Sequence, residues 1–410
     1  WPEQALSAHF LVLWAIYLCL VPYRGWKHFL SWMLLLSMAT LTMFYILAMV
    51  SMLFLVNLGD LALMRKNISF RKAIAILCIG LLSVLFWAWL AGYFVIGAQH
   101  AMTNNYGKWK INLLGLFDPY GWSYILPAIP KTNLPGVSKF DFEINFLEGN
   151  NFLGLGNIML LAIALFYWVQ KKTRFPFFDK QIACFLVGLG CLTIFSVTHH
   201  IGIGPFNIVL PLPNQIVALG SILRGAGRMF WGVYYVLLLL VIWQVSYSLR
   251  KKWLYGVLVM VVVIQVADTS AYWLKQRRTV VTLATDTGTP LLSKSIWKQF
   301  PNRYQKVIHS PWEYRQPGAM LPFGWEVWAH YAAASQMATN ATYLSRFDNS
   351  GLDGAFSRYR TAIATGNYDP KTLYIAKDAE VIPALARLRS EHDLFARIDG
   401  FNVIAPGWNA

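Results

Sequence analysis

Long uncharged apolar runs alternate with short basic clusters up to Asp268, and the pattern changes after it. Runs of this kind predict membrane-spanning helices, because about 20 apolar residues in a helix cross the hydrocarbon core. Residues 8–21, 29–58, 73–97, 157–170, 181–197, 229–249 and 253–266 give about seven visible spans. The run 29–58 amounts to about 45 Å of helix, too little for two full spans and a turn, so it predicts one long tilted helix. From residue 269 the pattern becomes that of a small soluble domain. Short β-like runs at 279–283, 306–309 and 373–376 alternate there with helical patterns over 325–337 and 379–390. The fold class is therefore an α-helical multi-pass membrane domain, 1–268, followed by a mixed α/β domain, 269–410.

The basic loops at 65–72, 171–174 and 250–252 are separated by even numbers of spans, which places them together on the cytoplasmic side. The connections 98–151 and 201–228, and everything after Asp268, then face outward. By the same count the turn Arg24–Lys27 lies outside, an exception to the positive-inside rule. Composition agrees with a membrane protein: 57% of residues are hydrophobic and 13% charged, with mean hydropathy +0.45. The net charge of +16 fits cytoplasmic loops against anionic headgroups, so membrane lipids are an expected partner. Nothing resembles a basic-aromatic nucleic-acid module. Cys19, Cys78, Cys184 and Cys191 all lie in apolar runs without metal spacing and read as small buried hydrophobes. The chain starts at Trp1 without Met or signal peptide, which suggests that further segments precede it.

Candidate chemistry gathers in the outward connections. Arg224 and Arg228 are four residues apart with Gly225 and Gly227 between them, so a helix there would present both guanidinium groups on one face. Such a pair suits a phosphate, which guanidinium binds bidentately; interfacial arginines snorkelling from a helix end are the alternative. The connection 98–151 interleaves aromatics, amides and carboxylates. Tyr106, Asn112, Trp122 and Asn151 have the chemistry of sugar contacts, rings stacking on C–H faces and amides bonding hydroxyls; anchoring of the loop at headgroup level is the other reading. Glu148, just before a span, is the preferred carboxylate for general acid–base work. Asp118 is second, and its Phe-Asp-Pro setting equally suits a turn. Asp141 and Glu143 look structural. Adjacent His199 and His200 point in different directions on a helix and rarely chelate one ion. Asp268 reads as a cap or partner of a neighbouring segment. The tail shows no nucleophile elbow, nucleotide loop or zinc motif, and reads as a binding or covering module.

Five stretches carry a resemblance: Ala8-His9-Phe10-Leu11, Phe44-Tyr45-Ile46-Leu47, Asn112-Leu113-Leu114 with Leu116-Phe117-Asp118-Pro119, Glu148-Gly149-Asn150-Asn151-Phe152-Leu153-Gly154, and Arg224-Gly225-Ala226-Gly227-Arg228-Met229-Phe230-Trp231. With Ile398-Asp399-Gly400-Phe401 in the tail, nearly the whole chain resembles a family of bacterial multi-pass proteins grouped with GT-C type membrane glycosyltransferases. The resemblance implies an inner-membrane protein with its tail in the periplasm. It also implies inverting transfer of a sugar from a polyprenyl-phosphate donor to an envelope glycan or lipid acceptor on the external face. Enzymes of that type place a catalytic Asp or Glu in an early external loop, expected upstream of Trp1, with Glu148 as the substitute within this chain. Arg224 and Arg228 would meet the donor phosphate. The residues identify no cofactor with certainty, and a divalent metal is the one left open. A lipid-linked oligosaccharide flippase and a non-catalytic polysaccharide assembly protein are the alternative functions.

Overall fold

The computed structural model describes residues 7–95, 106–128, 149–171, 182–223, 225–285, 292–310, 325–341, 349–376, 378–387 and 390–409. The chain divides into two compact units, Trp1–Arg278 and Thr279–Ala410.

The first unit is helical. Helices α1 (Phe10–Leu20), α2 (Trp26–Thr42), α3 (Phe44–Gly59) and α4 (Phe70–Leu90) are followed, after a long connection, by α5 (Leu155–Lys171) and α6 (Ala183–Val197). A two-stranded hairpin, β1 (His200–Ile203) and β2 (Phe206–Val209), and the short α7 (Asn214–Gly220) lead to α8 (Trp231–Ser248) and α9 (Lys251–Thr285). Four stretches are long and apolar enough to cross a membrane among the described residues: Phe44–Met64, Phe70–Leu90, Ala226–Ser248 and Lys251–Arg278. The other predicted spans are shorter, α1 having 11 residues, α5 17 and α6 15. The count of seven spans therefore reduces to four of full length, with the short helices packed among them.

The run 29–58 is two helices rather than one. Met43 is extended, with φ −164° and ψ 140°, and the chain reverses there. Reversal inside an apolar layer needs partners for the threonine hydroxyls near the end of α2 and donors for its end carbonyls. Thr40 Oγ1 and Thr42 Oγ1 each donate to a carbonyl one turn back at 2.7 Å, Met43 N donates to Ala39 O, and Tyr93 OH donates to Thr40 O at 3.1 Å. Contacts along the pair confirm its antiparallel course. Asn57 Oδ1, near the end of α3, accepts from Trp32 Nε1 at 2.9 Å and lies 3.0 Å from His28 Nε2, near the start of α2.

This reversal brings the basic segments together. α3 ends in a π-turn, Asp60–Met64, and Arg65 then donates to Cys19 O and Val21 O at the end of α1. The turn at Arg24–Lys27 thus lies at the same end as Arg65–Lys72, and the exception to the charge rule disappears. At that basic end the Asp60 carboxylate also caps α6, accepting from Cys184 N at 2.9 Å and Phe185 N at 3.1 Å.

The main core joins α1, α2, α3, α6 and α8 around Trp32, Leu53 and Phe185, all essentially buried. A second cluster, Leu160, Ala164, Val241, Val245 and Val261, joins α5, α8 and α9. α4 and α9 are peripheral, with only 17% and 11% of their most apolar stretch buried against 61% for α3. Apolar surface left bare on this scale belongs against lipid.

The segment 279–283, predicted as a strand, lies in the last two turns of α9. The second unit holds a five-stranded sheet of β3 (Lys306–Ser310), β4 (Ala338–Thr339), β5 (Thr372–Ala376), β6 (Leu394–Ile398) and β7 (Phe401–Ala405), in the order β4-β3-β5-β7-β6. β3 runs parallel to β4 and β5, while β7 is antiparallel to β5 and β6. Helices α10 (Trp325–Ala334), α11 (Asn349–Thr365) and α12 (Asp378–Ala386) make the connections. One cluster packs Trp297, Phe300 and Trp328 on the sheet and another packs Ile308, Ile363 and Tyr374. The mixed α/β expectation for the tail holds, including the strands at 306–309 and 373–376.

Candidate functional site

At the end of the helical unit opposite the basic loops, loop segments close over the helix ends and concentrate polar side chains. Segment 106–118 threads across them. Tyr106 N donates to Ser221 Oγ at 2.9 Å, Gly227 N to Trp109 O at 2.8 Å, and Ile111 N to Ser196 O, the uncapped end of α6, at 3.0 Å. Each of these bonds satisfies a loop or helix-end group that burial would otherwise strand.

Arg228 lies at the centre of this cap. It is 5% exposed, with its guanidinium 4.7 Å from the centroid of the Tyr45 ring. Tyr45 OH accepts from Gly225 N at 2.9 Å, so one tyrosine holds both the arginine and the backbone before it. Residues 221–230 are not an α-helix: two 3-10 turns, Ser221–Leu223 and Ala226–Phe230, flank a break at Gly225. Arg228 thus sits on a 3-10 turn rather than on the α-helix expected to carry it. Arg224, like Glu148, lies outside the described residues.

Lys110 was passed over in the sequence. It donates from Nζ to the His200 carbonyl and to Asn207 Oδ1, which ties segment 106–118 to the β-hairpin. Burial lowers its pKa to about 8. Burial, and then His199 and Lys110, push His200 down to about 4; burial and Lys110 lower His199 as well. The two imidazoles meet edge to face at 4.3 Å. Their signal in the sequence was the adjacency of His199 and His200; what they face was invisible there.

The residues proposed for sugar contact are engaged within the protein. The Tyr106 ring stacks with His199 at 5.6 Å and packs on Gly220, where a Cβ would come within 2.7 Å of the ring; its hydroxyl donates to Phe195 O. Asn112 binds Gly204 with both ends of its amide, at 2.8 Å each, as a strand neighbour would. Asn151 is buried and donates to Gly149 O at 3.1 Å. Trp122 is half-buried and stacked on Tyr272 of α9, 4.1 Å between centroids. All four shape the cap.

The carboxylates divide similarly. Asp118 is 2% exposed and accepts from Tyr120 N at 3.2 Å, as its turn sequence suggests. Asp268, on α9, fixes the distant segment at 123–124: Oδ1 accepts from Ser123 Oγ at 2.8 Å and Tyr124 N at 3.0 Å, while Oδ2 is buried without a hydrogen-bond partner. One turn earlier in α9, Gln265 donates to Leu153 O and accepts from Asn157 N. Among the described residues, no three His, Cys, Asp or Glu side chains converge as a metal site.

Residues 2–270 match a family model described as Domain of unknown function (DUF6311), and residues 296–406 match one described as the DUF6311 C-terminal domain. Neither description names a reaction. No curated protein and no solved structure matches the chain. With one model covering well over half of the sequence and the second covering most of the tail, the chain belongs to the DUF6311 family.

Proposed function

We propose that this protein is a membrane glycosyltransferase of GT-C type, which moves a sugar from a polyprenyl-phosphate carrier to an envelope glycan or lipid acceptor at the cap end of its helical unit. The observation that carries this reading is the burial of Arg228. Guanidinium stays charged and binds phosphate bidentately, and Arg228 holds its guanidinium 4.7 Å from the Tyr45 ring centroid at the polar end of the helical unit, a place that suits the phosphate of a lipid carrier. Arg224, four residues earlier, adds a second cation in the same sequence motif. In the reaction the acceptor oxygen attacks the anomeric carbon. The bond to the phosphate oxygen breaks, that oxygen keeps the electron pair beside the arginines, and a carboxylate takes the hydroxyl proton. Glu148 is the preferred carboxylate of this chain for that step, with Asp118 second.

The test is release of polyprenyl phosphate from synthetic polyprenyl-phosphate sugars by the protein in nanodiscs supplied with bacterial envelope glycans and lipids as acceptors, beside Arg228→Ala and Arg228→Lys. The loss of one charge-assisted contact to the departing phosphate is expected to slow release at least tenfold in Arg228→Ala, with partial recovery in Arg228→Lys. Undiminished release by Arg228→Ala would remove the arginine from the mechanism. Lipid-linked oligosaccharide crossing the bilayer without sugar transfer would replace the enzyme with a flippase.

A further inference from the structure

From Ile201 to Leu223 the sequence contains no Asp, Glu, Lys, Arg or His. The structure folds this stretch as the β1–β2 hairpin and the apolar helix α7 with its 3-10 extension, and directs large side chains outward. Phe206 is 71% exposed, Leu219 60%, Val209 58% and Ile208 50%. A loop standing in water is not built this way.

Two further observations identify what covers it. The first is length. α6, which leads straight into the hairpin, has 15 residues, about 22 Å against a hydrocarbon core of about 30 Å. Its outer face is bare and apolar, with Val187 66% and Ile194 75% exposed. The polar boundary cannot fall at the end of α6 without leaving a mismatch, and His199 and His200 turn to Tyr106 and Lys110 inside the cap. The bare apolar surface therefore continues from the helix onto the hairpin.

The second is the backbone. β1 and β2 pair from His200–Val209 to Ile203–Phe206. Leu210 N donates to His199 O and Leu113 N to Gly202 O, and the Asn112 amide closes both polar groups of Gly204. Pro205, Pro211 and Pro213 carry no N–H to satisfy. Backbone polar groups bonded internally are what a lipid environment demands.

We infer that residues 201–223 form a re-entrant element immersed in the bilayer, at the end opposite the basic loops, with lipid acyl chains as its occupant. This inference does not depend on the reaction proposed above. Unmodified protein in phosphatidylethanolamine–phosphatidylglycerol nanodiscs, doped with a phosphatidylcholine carrying a diazirine in its acyl chain, tests it. After illumination, peptides covering 203–219 should carry lipid adducts at a yield comparable to those from α4 and α9. The same peptides should resist hydroxyl-radical labelling from water. Recovery of these peptides without adducts, while α4 is labelled, overturns the inference: radical labelling would put the element in water, and protection from both reagents would put it under protein.

Discussion

Replacement of Asp399 by alanine should loosen the tail domain at one identifiable place. Asp399 and Gly400 form the two-residue turn between β6 and β7, with φ of 49° and 84°, the left-handed geometry that hairpins prefer. The carboxylate also pins the segment before the sheet. Oδ2 accepts from Ser293 N at 2.7 Å, Lys294 N at 3.0 Å and Trp297 Nε1 at 2.9 Å, and Oδ1 accepts from Ser293 Oγ at 2.8 Å. The site is half-exposed, so each bond counts at the low end, about 0.5–1 kcal/mol. The four sum to about 2–4 kcal/mol, and alanine at positive φ adds about 1 kcal/mol. Asparagine keeps the turn and one acceptor but loses the charge, for about 1–2 kcal/mol. Hydrogen–deuterium exchange on the full-length protein reads this directly. Asp399→Ala should speed exchange at 293–297 by about two to four powers of ten, and Asp399→Asn by about one, at 1.36 kcal/mol per decade. Unchanged exchange at Ser293 and Lys294 in the alanine variant would refute the anchoring role. The sign of the pH dependence is also determined. Burial pushes the Asp399 carboxyl up, but the bonds from Lys294, Ser293 and Trp297 outweigh it and hold the pKa below the usual range. Its contribution is complete above the unfolded value of about 3.9 and is lost as pH falls through the folded value.

Three other outcomes are expected. Asp60→Asn turns an amide N–H₂ toward one of the two backbone donors that Asp60 now accepts at the start of α6; the melting temperature in detergent should fall with a loss of about 1–3 kcal/mol. Gly156→Ala places a Cβ against the Val261 carbonyl and 2.8 Å from Gln265 Cβ, so α5 and α9 must part; an overpacking loss of about 1–3 kcal/mol should again appear in the melt. Acidification should weaken the cap in two windows, because Lys110 and His200 have lowered folded pKa values of about 8 and about 4. The unfolded chain then binds more protons from about 10.4 down to the Lys110 value and from about 6.5 down to the His200 value. Lys110→Met should flatten the upper window of the unfolding profile and His200→Gln the lower one.

Much of this molecule was legible in the order of its residues. Long apolar runs named most helices, since burying a backbone in lipid leaves few alternatives to a helix, and the change of pattern near residue 269 announced an α/β tail. Turn chemistry marked Asp118 as the start of its own turn. Where a run was long, however, hydropathy could not say whether the chain continued or reversed. At Met43 the answer rests on donors to the last carbonyls of α2, Met43 N to Ala39 O and Tyr93 OH to Thr40 O, and Tyr93 comes from the turn after α4. The same reversal moved Arg24–Lys27 to the basic end, so one misread bend had misplaced a loop.

The cap was the less legible part. Spacing alone supplied Arg224 and Arg228 and a helix to carry them; the backbone at Gly225 breaks that helix, and Tyr45, far away in sequence, decides where the Arg228 guanidinium rests. Residue type offered Tyr106, Asn112, Trp122 and Asn151 as sugar contacts, while the bonds and stacking that each makes with loop backbone and neighbouring aromatics could not be read from residue type. Local preferences and hydrophobic length act within a few turns of chain, so sequence determines the helices, the tail's class and the sign of each loop. Close approach between segments distant in the chain, at Lys110 and the hairpin or Asp60 and α6, exists only once the helices pack, because the bonds that settle it join partners that no local pattern pairs.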